Sequence, residues 1–210
     1  MHSLATIVLM ARWHAANRCK KRLAKQIGIE RAANVQKKLT SHTIAVAKSI
    51  EEKGLAHVRL AVSGLGPKAT KRWGLIEGVN YAHPQGQGNL GSRMKKEILR
   101  VQADYQSNPT IIIGTDLPTL SQLDLIEAIK ALKNKKLILG PSEDGGYWLV
   151  GLPKELVNPL INWPFTGIPW GSRKVLEATI KKAHQAQSSI YFLRCQNDLD
   201  KIEDIDPWLK

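Results

Sequence analysis

Hydrophobic residues along this chain alternate between short continuous runs and longer stretches with helical spacing. Short apolar runs that are rich in β-branched residues are typical of buried strands, whereas apolar residues repeated every three or four positions indicate amphipathic helices. The runs predict strands at Leu4–Met10, Val58–Val62, Tyr81–Gln85, Thr110–Gly114, Leu137–Leu139, Tyr147–Val150 and Ile190–Leu193. The helical spacing predicts helices at Glu30–Lys53, Lys68–Trp73, Gly91–Ala103, Ser121–Leu132 and Ser172–His184.

This alternation of strands and helices is typical of an α/β fold with a mainly parallel sheet. We therefore expect a single domain over residues 1–210, arranged as a three-layer α/β/α sandwich with a mixed, mainly parallel sheet. Pro84 would place its strand at an edge, because proline has no N–H for a second neighbour. Ser121 would cap its helix, with Asp124 in the first turn. Residues 12–22 and 153–169 are expected to be irregular.

Composition narrows the class of protein. The chain has 210 residues, of which 43% are hydrophobic and 23% charged, as in an ordinary folded domain. The apolar run Leu4–Ala11 is far too short to span a bilayer. Cys19 and Cys195 have no disulfide framework and no zinc spacing, which is typical of a reducing compartment. We therefore expect a cytoplasmic protein without a membrane span.

The net charge of +13, from 31 Lys and Arg against 18 Asp and Glu, permits binding to nucleic acid. A non-enzymatic nucleic-acid binder is therefore one alternative. It is the less favoured one, because aromatic residues are not interleaved with the basic cluster as stacking platforms would be. The cluster follows the first strand and consists of Arg12, Arg18, Lys20, Lys21, Arg22 and Lys25.

Acidic residues stand where two of the predicted strands end. Asp116 follows one strand, and Asp144 follows another, with Glu143 before it and the pair Gly145-Gly146 after it. In open parallel sheets, ligands bind beyond the carboxyl ends of the strands, and Mg²⁺ and Mn²⁺ prefer carboxylates with phosphates and water. The two aspartates therefore predict one divalent-metal site, and the glycines would let the backbone approach a ligand closely. Alternatively, Asp116 caps a helix and Asp144-Gly145 is only a hairpin turn.

The basic cluster follows the first strand, where nucleotide-binding α/β folds usually bind phosphate. Lys20, Lys21 and Arg22 would hold a diphosphate, and arginine offers a bidentate fork. The glycine spacing of a Walker A loop is missing. A solvated basic loop without a ligand remains the alternative reading.

Three other patterns leave alternatives open. Gly86–Gly91 spells GxGxxG, the fingerprint of dinucleotide binding, but the preceding strand is short and carries Pro84. Residues 198–204 resemble a capping box, with Asp200 as N-cap and Glu203 at the third helical position, so a structural role is favoured over a catalytic one. The aromatic residues of the proline-rich segment, Trp163, Phe165 and Trp170, form either an acceptor wall or loop packing.

Together these motifs resemble a bacterial family of largely uncharacterised transferases with a glycosyltransferase-A (GT-A) fold, similar in turn to 2-phospholactate guanylyltransferase. The resemblance covers nearly the whole chain. It rests on Arg18-Cys-Lys-Lys-Arg-Leu23, Gln85-Gly-Gln-Gly-Asn-Leu-Gly-Ser-Arg-Met94, Ile113-Gly-Thr-Asp-Leu-Pro118, Leu139-Gly-Pro-Ser-Glu-Asp-Gly-Gly-Tyr-Trp148, Ile168-Pro-Trp170 and Asp198-Leu-Asp-Lys-Ile-Glu-Asp204.

The resemblance implies roles for particular residues. Asp116 and Asp144 would lie near a divalent metal, Lys20 and Arg22 at the nucleotide phosphates, and Gly88, Gly91 and Arg93 around the nucleotide pocket. Two departures stand out. The basic loop of the family commonly contains Pro-Gly where this chain has Ala15-Ala16-Asn17, and an acidic residue is common where Asn89 stands.

The function predicted from these features is that of a metal-dependent transferase using a nucleoside-diphosphate sugar donor. Glu143 would steady the glycosyl centre or deprotonate the acceptor. The alternative at the same site is nucleotidyl transfer from a nucleoside triphosphate to a phosphorylated acceptor. The sequence favours neither reaction, because both need phosphate-binding cations and a metal. It also leaves the donor base, the acceptor and the oligomeric state open.

Overall fold

Seven strands and seven helices alternate along the described part of the computed structural model, residues 4–105, 108–157 and 160–204. The strands are β1 (Ala5–Arg12), β2 (Ala56–Ser63), β3 (Tyr81–Pro84), β4 (Thr110–Gly114), β5 (Leu137–Pro141), β6 (Tyr147–Leu152) and β7 (Ile190–Phe192). The helices are α1 (Lys21–Ile27), α2 (Ile29–Glu52), α3 (Pro67–Ile76), α4 (Leu90–Tyr105), α5 (Gln122–Leu132), α6 (Lys154–Val157) and α7 (Val175–Gln185). Every predicted strand and helix is present, within a few residues of its predicted ends.

All seven strands form one sheet in the order β3-β2-β1-β4-β6-β5-β7. β6 pairs antiparallel with β4 and β5, and the other neighbours are parallel. The predicted mixed, mainly parallel sheet is therefore confirmed, and β3 with its Pro84 lies at an edge as expected. The carboxyl ends of β1, β4 and β5 face the same edge of the sheet.

Side chains of the sheet alternate between two apolar cores. In β1, Ile7 and Leu9 pack with α2, α3 and α5 on one face, whereas Val8 packs with α4 and α7 on the other. All three residues have no exposed surface. Burial on both faces explains why β1 and β4 are continuous apolar runs, and it confirms the three-layer sandwich.

Two short helices were not predicted. α1 lies partly within the expected basic loop, and α6 lies within the segment expected to be irregular. In α1 only Leu23 is buried, so the helix lacks the apolar repeat by which helices are predicted. α7 begins at Val175 rather than Ser172, because the preceding residues turn to pack against the β5–β6 connection.

The first turn of α5 is hydrogen-bonded to Arg194, which follows β7. Ser121 caps this helix as expected, and it forms a capping box with Asp124, in which each side chain accepts from the other residue's backbone N–H. Asp124 also accepts hydrogen bonds from the Arg194 guanidinium at 2.6 and 2.9 Å. Burial raises the pKa of Asp124, but the hydrogen bonds from Arg194 and Ser121 outweigh it and hold the pKa below its usual value.

We expect Asp124→Asn to lower the free energy of unfolding by roughly 2 kcal/mol at pH 7, because it removes a charge-assisted hydrogen bond. Since the pKa is lower in the folded state, this stabilisation is present above the ordinary pKa and lost as the pH falls through the lowered value. Urea unfolding from pH 7 to pH 3 would therefore show the loss shrinking with acid. Glu52→Gln, at an exposed helix end, is the control. A loss independent of pH would contradict this origin.

Candidate functional site

A cavity of about 500 Å³ opens where the adjacent parallel strands β1 and β4 end. This first cavity lies at the carboxyl edge, where ligands bind in open α/β sheets. Five cationic and two acidic side chains line it, namely Arg12, Lys20, Lys21, Arg22, Arg93, Asp116 and Asp200. The excess of positive charge suits an anionic ligand.

Asp116 lies two residues beyond the end of β4 and lines the first cavity. The buried side-chain amide of Gln36, on α2, donates a hydrogen bond to Asp116 Oδ1 at 2.8 Å. Lys20 Nζ lies 3.2 Å from Asp116 Oδ2. Asp116 is therefore held from two sides while its carboxylate keeps an open face. Gln36 was not predicted; its only signal is a polar residue on the core-facing stripe of a helix.

Lys20 is the buried cation of the site. Its side chain is 2% exposed, and its Nζ lies 3.2 Å from Asp116 and 3.6 Å from Asp200. No hydrogen bond with good geometry reaches this Nζ within the described part of the chain. Burying an ammonium is costly unless anions surround it, so the carboxylates and a bound anion together would stabilise its charge.

The loop that carries Lys20 uses an uncommon backbone conformation. Asn17 has φ of 61° and Lys20 has φ of 45°, in the left-handed region that glycine adopts most easily. Asparagine tolerates this region better than most residues, so Asn17 provides a left-handed turn in a loop where the family commonly has Pro-Gly. The left-handed residue Lys20 begins α1 and turns its ammonium toward Asp116.

The C-terminal segment crosses the same edge of the sheet and brings two further acids into the site. Leu199 N–H donates to the Asp116 carbonyl at 3.0 Å, and Gln196 N–H donates to the Pro141 carbonyl at 3.1 Å. These bonds hold Asp198 and Asp200 beside the first cavity. Residues 198–204 were predicted to be structural, and their contribution to the site was missed.

The capping pattern predicted for this segment is replaced by a different one. Asp204, rather than Glu203, accepts hydrogen bonds, from the N–H groups of Asp200 and Lys201, each at 2.8 Å. The Asp200 side chain pairs with Arg22 at 3.1 Å and with Lys20. An acidic run directly after the last strand was the signal that could have found these residues.

Asp198 has the most perturbed carboxyl group near the cavity. Desolvation by the surrounding protein raises the pKa of Asp198 to about 6. The negative charges of Asp116, Asp144 and Asp200 add to the rise, and the positive charge of Lys20 opposes it. Asp198 as a whole residue is nonetheless exposed to solvent. Asp198 and Asp116 line one cavity, and Asp198 and Asp144 line another, so Asp198 neighbours both predicted metal ligands.

Asp144 lies in the β5–β6 turn and lines a second cavity of about 360 Å³. Its Oδ1 accepts a hydrogen bond from Gly146 N–H at 2.9 Å, so the hairpin-turn reading is correct for the backbone, while the carboxylate also faces a cavity. Glu143 lies apart from the described cavities, and its N–H donates to the Asn197 side chain. Arg22 and Leu90 line both the first and the second cavity.

The predicted glycines divide between ligand cavities and internal packing. Gly146 lines the second cavity, but a Cβ on Gly145 would lie 2.0 Å from the Arg173 carbonyl oxygen. A Cβ on Gly91 would lie 2.5 Å from Trp170 Nε1. Gly145 and Gly91 therefore permit close packing against the segment that precedes α7. Gly88, with φ of 111°, serves the turn before α4, and neither Gly88 nor Gly91 lines a described cavity.

Arg93 lies on α4 and reaches the first cavity through Gln85. Its guanidinium donates to Gln85 Oε1 at 2.8 Å, and the Gln85 amide donates to the carbonyls of Ala11 and Ala61. Burial, with the charge of Arg12 nearby, lowers the pKa of Arg93. Gln85, which was not predicted, thus links the ends of β1 and β2 to a cation of the cavity.

A third cavity of about 370 Å³ adjoins the first and shares Arg12, Lys21 and Arg93 with it. Arg18 also lines it, and none of its lining residues is acidic. The Arg12 guanidinium donates to the Arg18 carbonyl at 3.3 Å, so the loop itself holds these cations together. The predicted basic cluster, apart from Lys25, is therefore brought around two adjoining cavities.

Carboxylates near the first cavity do not form a complete metal cage. Within residues 4–105, 108–157 and 160–204, no three His, Cys, Asp or Glu side chains are arranged to hold an ion by themselves. No helix in these ranges has the length and apolar character needed to cross a membrane. Cys19 and Cys195 are both free thiols.

A family model described as an uncharacterised protein conserved in bacteria (DUF2064) matches residues 45–172, more than half of the chain. The chain belongs to this family. The resemblance to a bacterial family expected from the motifs is thereby confirmed. The family model spans β4, β5 and the β5–β6 turn, which carry Asp116 and Asp144. No match was found among curated proteins.

Solved structures show a similar fold. A candidate nucleotide-diphospho-sugar transferase from Desulfovibrio desulfuricans has a TM-score of 0.83 at 22% identity, covering 99% of this chain and 87% of that one. CMP:2-keto-3-deoxy-manno-octonic acid synthetase complexed with CTP has 0.59 at 11%, covering 98% and 97%. Rv0371c from Mycobacterium tuberculosis in complex with manganese has 0.56 at 13%, covering 99% and 98%. These likenesses confirm the predicted nucleotide-diphospho-sugar transferase-like fold.

We expect Gly145→Ala to lower the free energy of unfolding by more than about 2 kcal/mol, because its new Cβ would overlap the Arg173 carbonyl and its φ of 85° disfavours a side chain. Gly54→Ala is the matched control, since Gly54 has φ of 66° but open space around it. It should cost only about 1 kcal/mol. Urea unfolding measures both losses. Equal losses would show that the turn does not pack tightly on Arg173.

Proposed function

We propose that this protein is a metal-dependent transferase that uses a nucleoside-diphosphate sugar as its donor. The observation that carries the proposal is the first cavity, where five cations face the carboxyl ends of β1 and β4. Lys20 and Arg22 would bind the diphosphate, with Arg12 and Arg93 in the same cavity. The names of the solved structures with a similar fold, a nucleotide-diphospho-sugar transferase and a CTP-bound synthetase, support a nucleotide substrate.

A divalent cation, Mg²⁺ or Mn²⁺, fits the carboxylates of the site. Asp116 is the ligand we propose, because it lines the cation-rich first cavity and its carboxylate keeps an open face beside Gln36 and Lys20. One or two carboxylates completed by phosphate and water are typical of Mg²⁺ sites. The manganese complex of Rv0371c supports this choice. Asp144 as a ligand stays a prediction.

In the proposed reaction, the bond between the anomeric carbon and the diphosphate oxygen breaks, and a bond from that carbon to an acceptor oxygen forms. The nucleoside diphosphate leaves with the bonding electrons, and a base receives the acceptor proton. Lys20 and Arg22 would stabilise the charge that develops on the leaving diphosphate. The metal would supply further stabilisation of that charge as a Lewis acid.

Asp144 is the carboxylate we propose as the base of this reaction. It lines the second cavity, which adjoins the first through Arg22 and Leu90. Glu143, the base suggested by the sequence, is exposed and lines neither cavity, so it stays an untested prediction with less support. A base must come within hydrogen-bond reach of the proton that it removes.

Nucleotidyl transfer from a nucleoside triphosphate is the second candidate, and the third cavity favours it. Arg12, Arg18, Lys21 and Arg93 line that cavity without an acid among its lining residues. A cation-lined space beside the diphosphate site would accommodate a third phosphate. Released pyrophosphate would identify this reaction, whereas a released nucleoside diphosphate identifies glycosyl transfer.

We expect isothermal titration with Mn²⁺ to show binding of at least one UDP- or GDP-sugar with a Kd of roughly 1 µM to 1 mM, as is common for enzyme substrates. Product analysis by chromatography then assigns the reaction from the diphosphate or pyrophosphate released. The proposal is refuted if the folded protein binds none of these donors and no nucleoside triphosphate, either with or without Mn²⁺.

We expect Lys20→Met to weaken nucleoside-diphosphate binding by about 1.5–3 kcal/mol, because a buried charge-assisted contact is lost. Lys25→Met is the control, since Lys25 is an exposed lysine of the same helix that lines neither nucleotide cavity. Titration of both variants with UDP and GDP measures the difference. Equal affinity of the Lys20 and Lys25 variants would place the phosphates elsewhere.

A further inference from the structure

The second cavity differs from the first in its charge. Two cations and two acids line it, namely Arg22, Arg173, Asp144 and Asp198. The first cavity has five cations against two acids. A phosphorylated group would meet two carboxylates in the second cavity without the excess of cations that phosphates need. The charge balance therefore selects against a phosphate and favours an uncharged group.

The remaining walls of the second cavity combine hydroxyl groups with aromatic rings. Ser142 and Ser172 both line the cavity, one from the turn after β5 and one from the segment before α7. Tyr147 and Trp170 meet edge to face with ring centroids 6.3 Å apart. Serine and aspartate oxygens accept hydrogen bonds from hydroxyl groups, and aromatic rings pack against apolar C–H surfaces. A sugar ring offers both kinds of surface.

Two glycines let neighbouring segments pack closely together around this cavity. The absence of a Cβ at Gly91 lets Trp170 pack on α4, and its absence at Gly145 lets Arg173 pack on the β5–β6 turn. Leu176 N–H also donates to the Gly145 carbonyl at 2.9 Å. The segment before α7 is therefore held against the hairpin, which makes the cavity part of the rigid fold.

We propose that the second cavity binds an uncharged, hydroxyl-rich ring, a sugar or polyol, next to the diphosphate. The second cavity adjoins the proposed diphosphate site because Arg22 and Leu90 line both the first and the second cavity. The inference rests on the proposed function and narrows it, because a phosphorylated acceptor does not suit this cavity. Two sources share this chemistry: the sugar of the donor and a sugar or polyol acceptor.

Ser172→Trp tests the proposal by filling the cavity, since Ser172 is exposed and a large side chain there leaves the core intact. Ser189→Trp, at an exposed serine outside the described cavities, is the matched control. Thermal unfolding confirms that both variants fold. Titration with UDP, GDP and their sugars in Mn²⁺, followed by turnover with neutral sugar and polyol acceptors, provides the readouts.

If the donor sugar occupies the cavity, Ser172→Trp weakens nucleotide-sugar binding at least about tenfold and leaves nucleoside-diphosphate binding unchanged. If the acceptor occupies it, donor binding is unchanged and KM for the acceptor rises by a similar factor. Either result supports the proposal, provided that Ser189→Trp behaves as the original protein. If Ser172→Trp matches Ser189→Trp in every readout, the inference is overturned while the proposed function stands. The same holds if Ser172→Trp selectively reduces turnover of a phosphorylated acceptor. Failure of the original protein to bind any nucleotide overturns the proposed function and this inference with it.

Discussion

The buried ammonium of Lys20 joins three parts of the chain that are far apart in sequence. It lies 3.2 Å from Asp116, which follows β4, and 3.6 Å from Asp200, in the C-terminal segment. The Lys20 side chain is 2% exposed, and a cation buried to this degree is stable only among anions. Its burial therefore requires that three segments meet around its ammonium: the loop after β1, the end of β4 and the C-terminal segment. Gln36 supports the same meeting point by its hydrogen bond to Asp116. The cation-rich first cavity is a consequence of this arrangement.

Charge is distributed unevenly among the cavities that surround this point. The first and third cavities collect the cations of the β1–α1 loop and of α4, whereas the second balances two cations with two acids. In the proposed function, this separation would let the protein bind a polyanion beside an uncharged group. The net charge of +13 is thus concentrated in part around a cavity rather than along an open surface.

Local sequence patterns predicted much of the sheet and the helices, because most elements bury a face whose period is visible in the chain. β4 was predicted with its exact bounds, and Ser121 was confirmed as the cap of α5, with Asp124 in the first turn. α1 was not predicted, because only Leu23 among its residues is buried and the helix therefore shows no apolar repeat. Asp198 and Asp200 were assigned to a local cap, because nothing in a local pattern states that Leu199 will bind the Asp116 backbone.

By itself the sequence determined the fold class, the edge position of β3 and the delivery of Asp116 to the end of a strand, because each depends on hydrophobic period or on backbone chemistry. Tertiary structure alone decided that Gly91 and Gly145 pack against the segment before α7, and that Asp198 and Asp200 join the site. These outcomes depend on which elements pack together across the carboxyl edge of the sheet. Such contacts join residues that are distant in sequence, as Gln36 and Asp116 show with a separation of 80, and no local period records them.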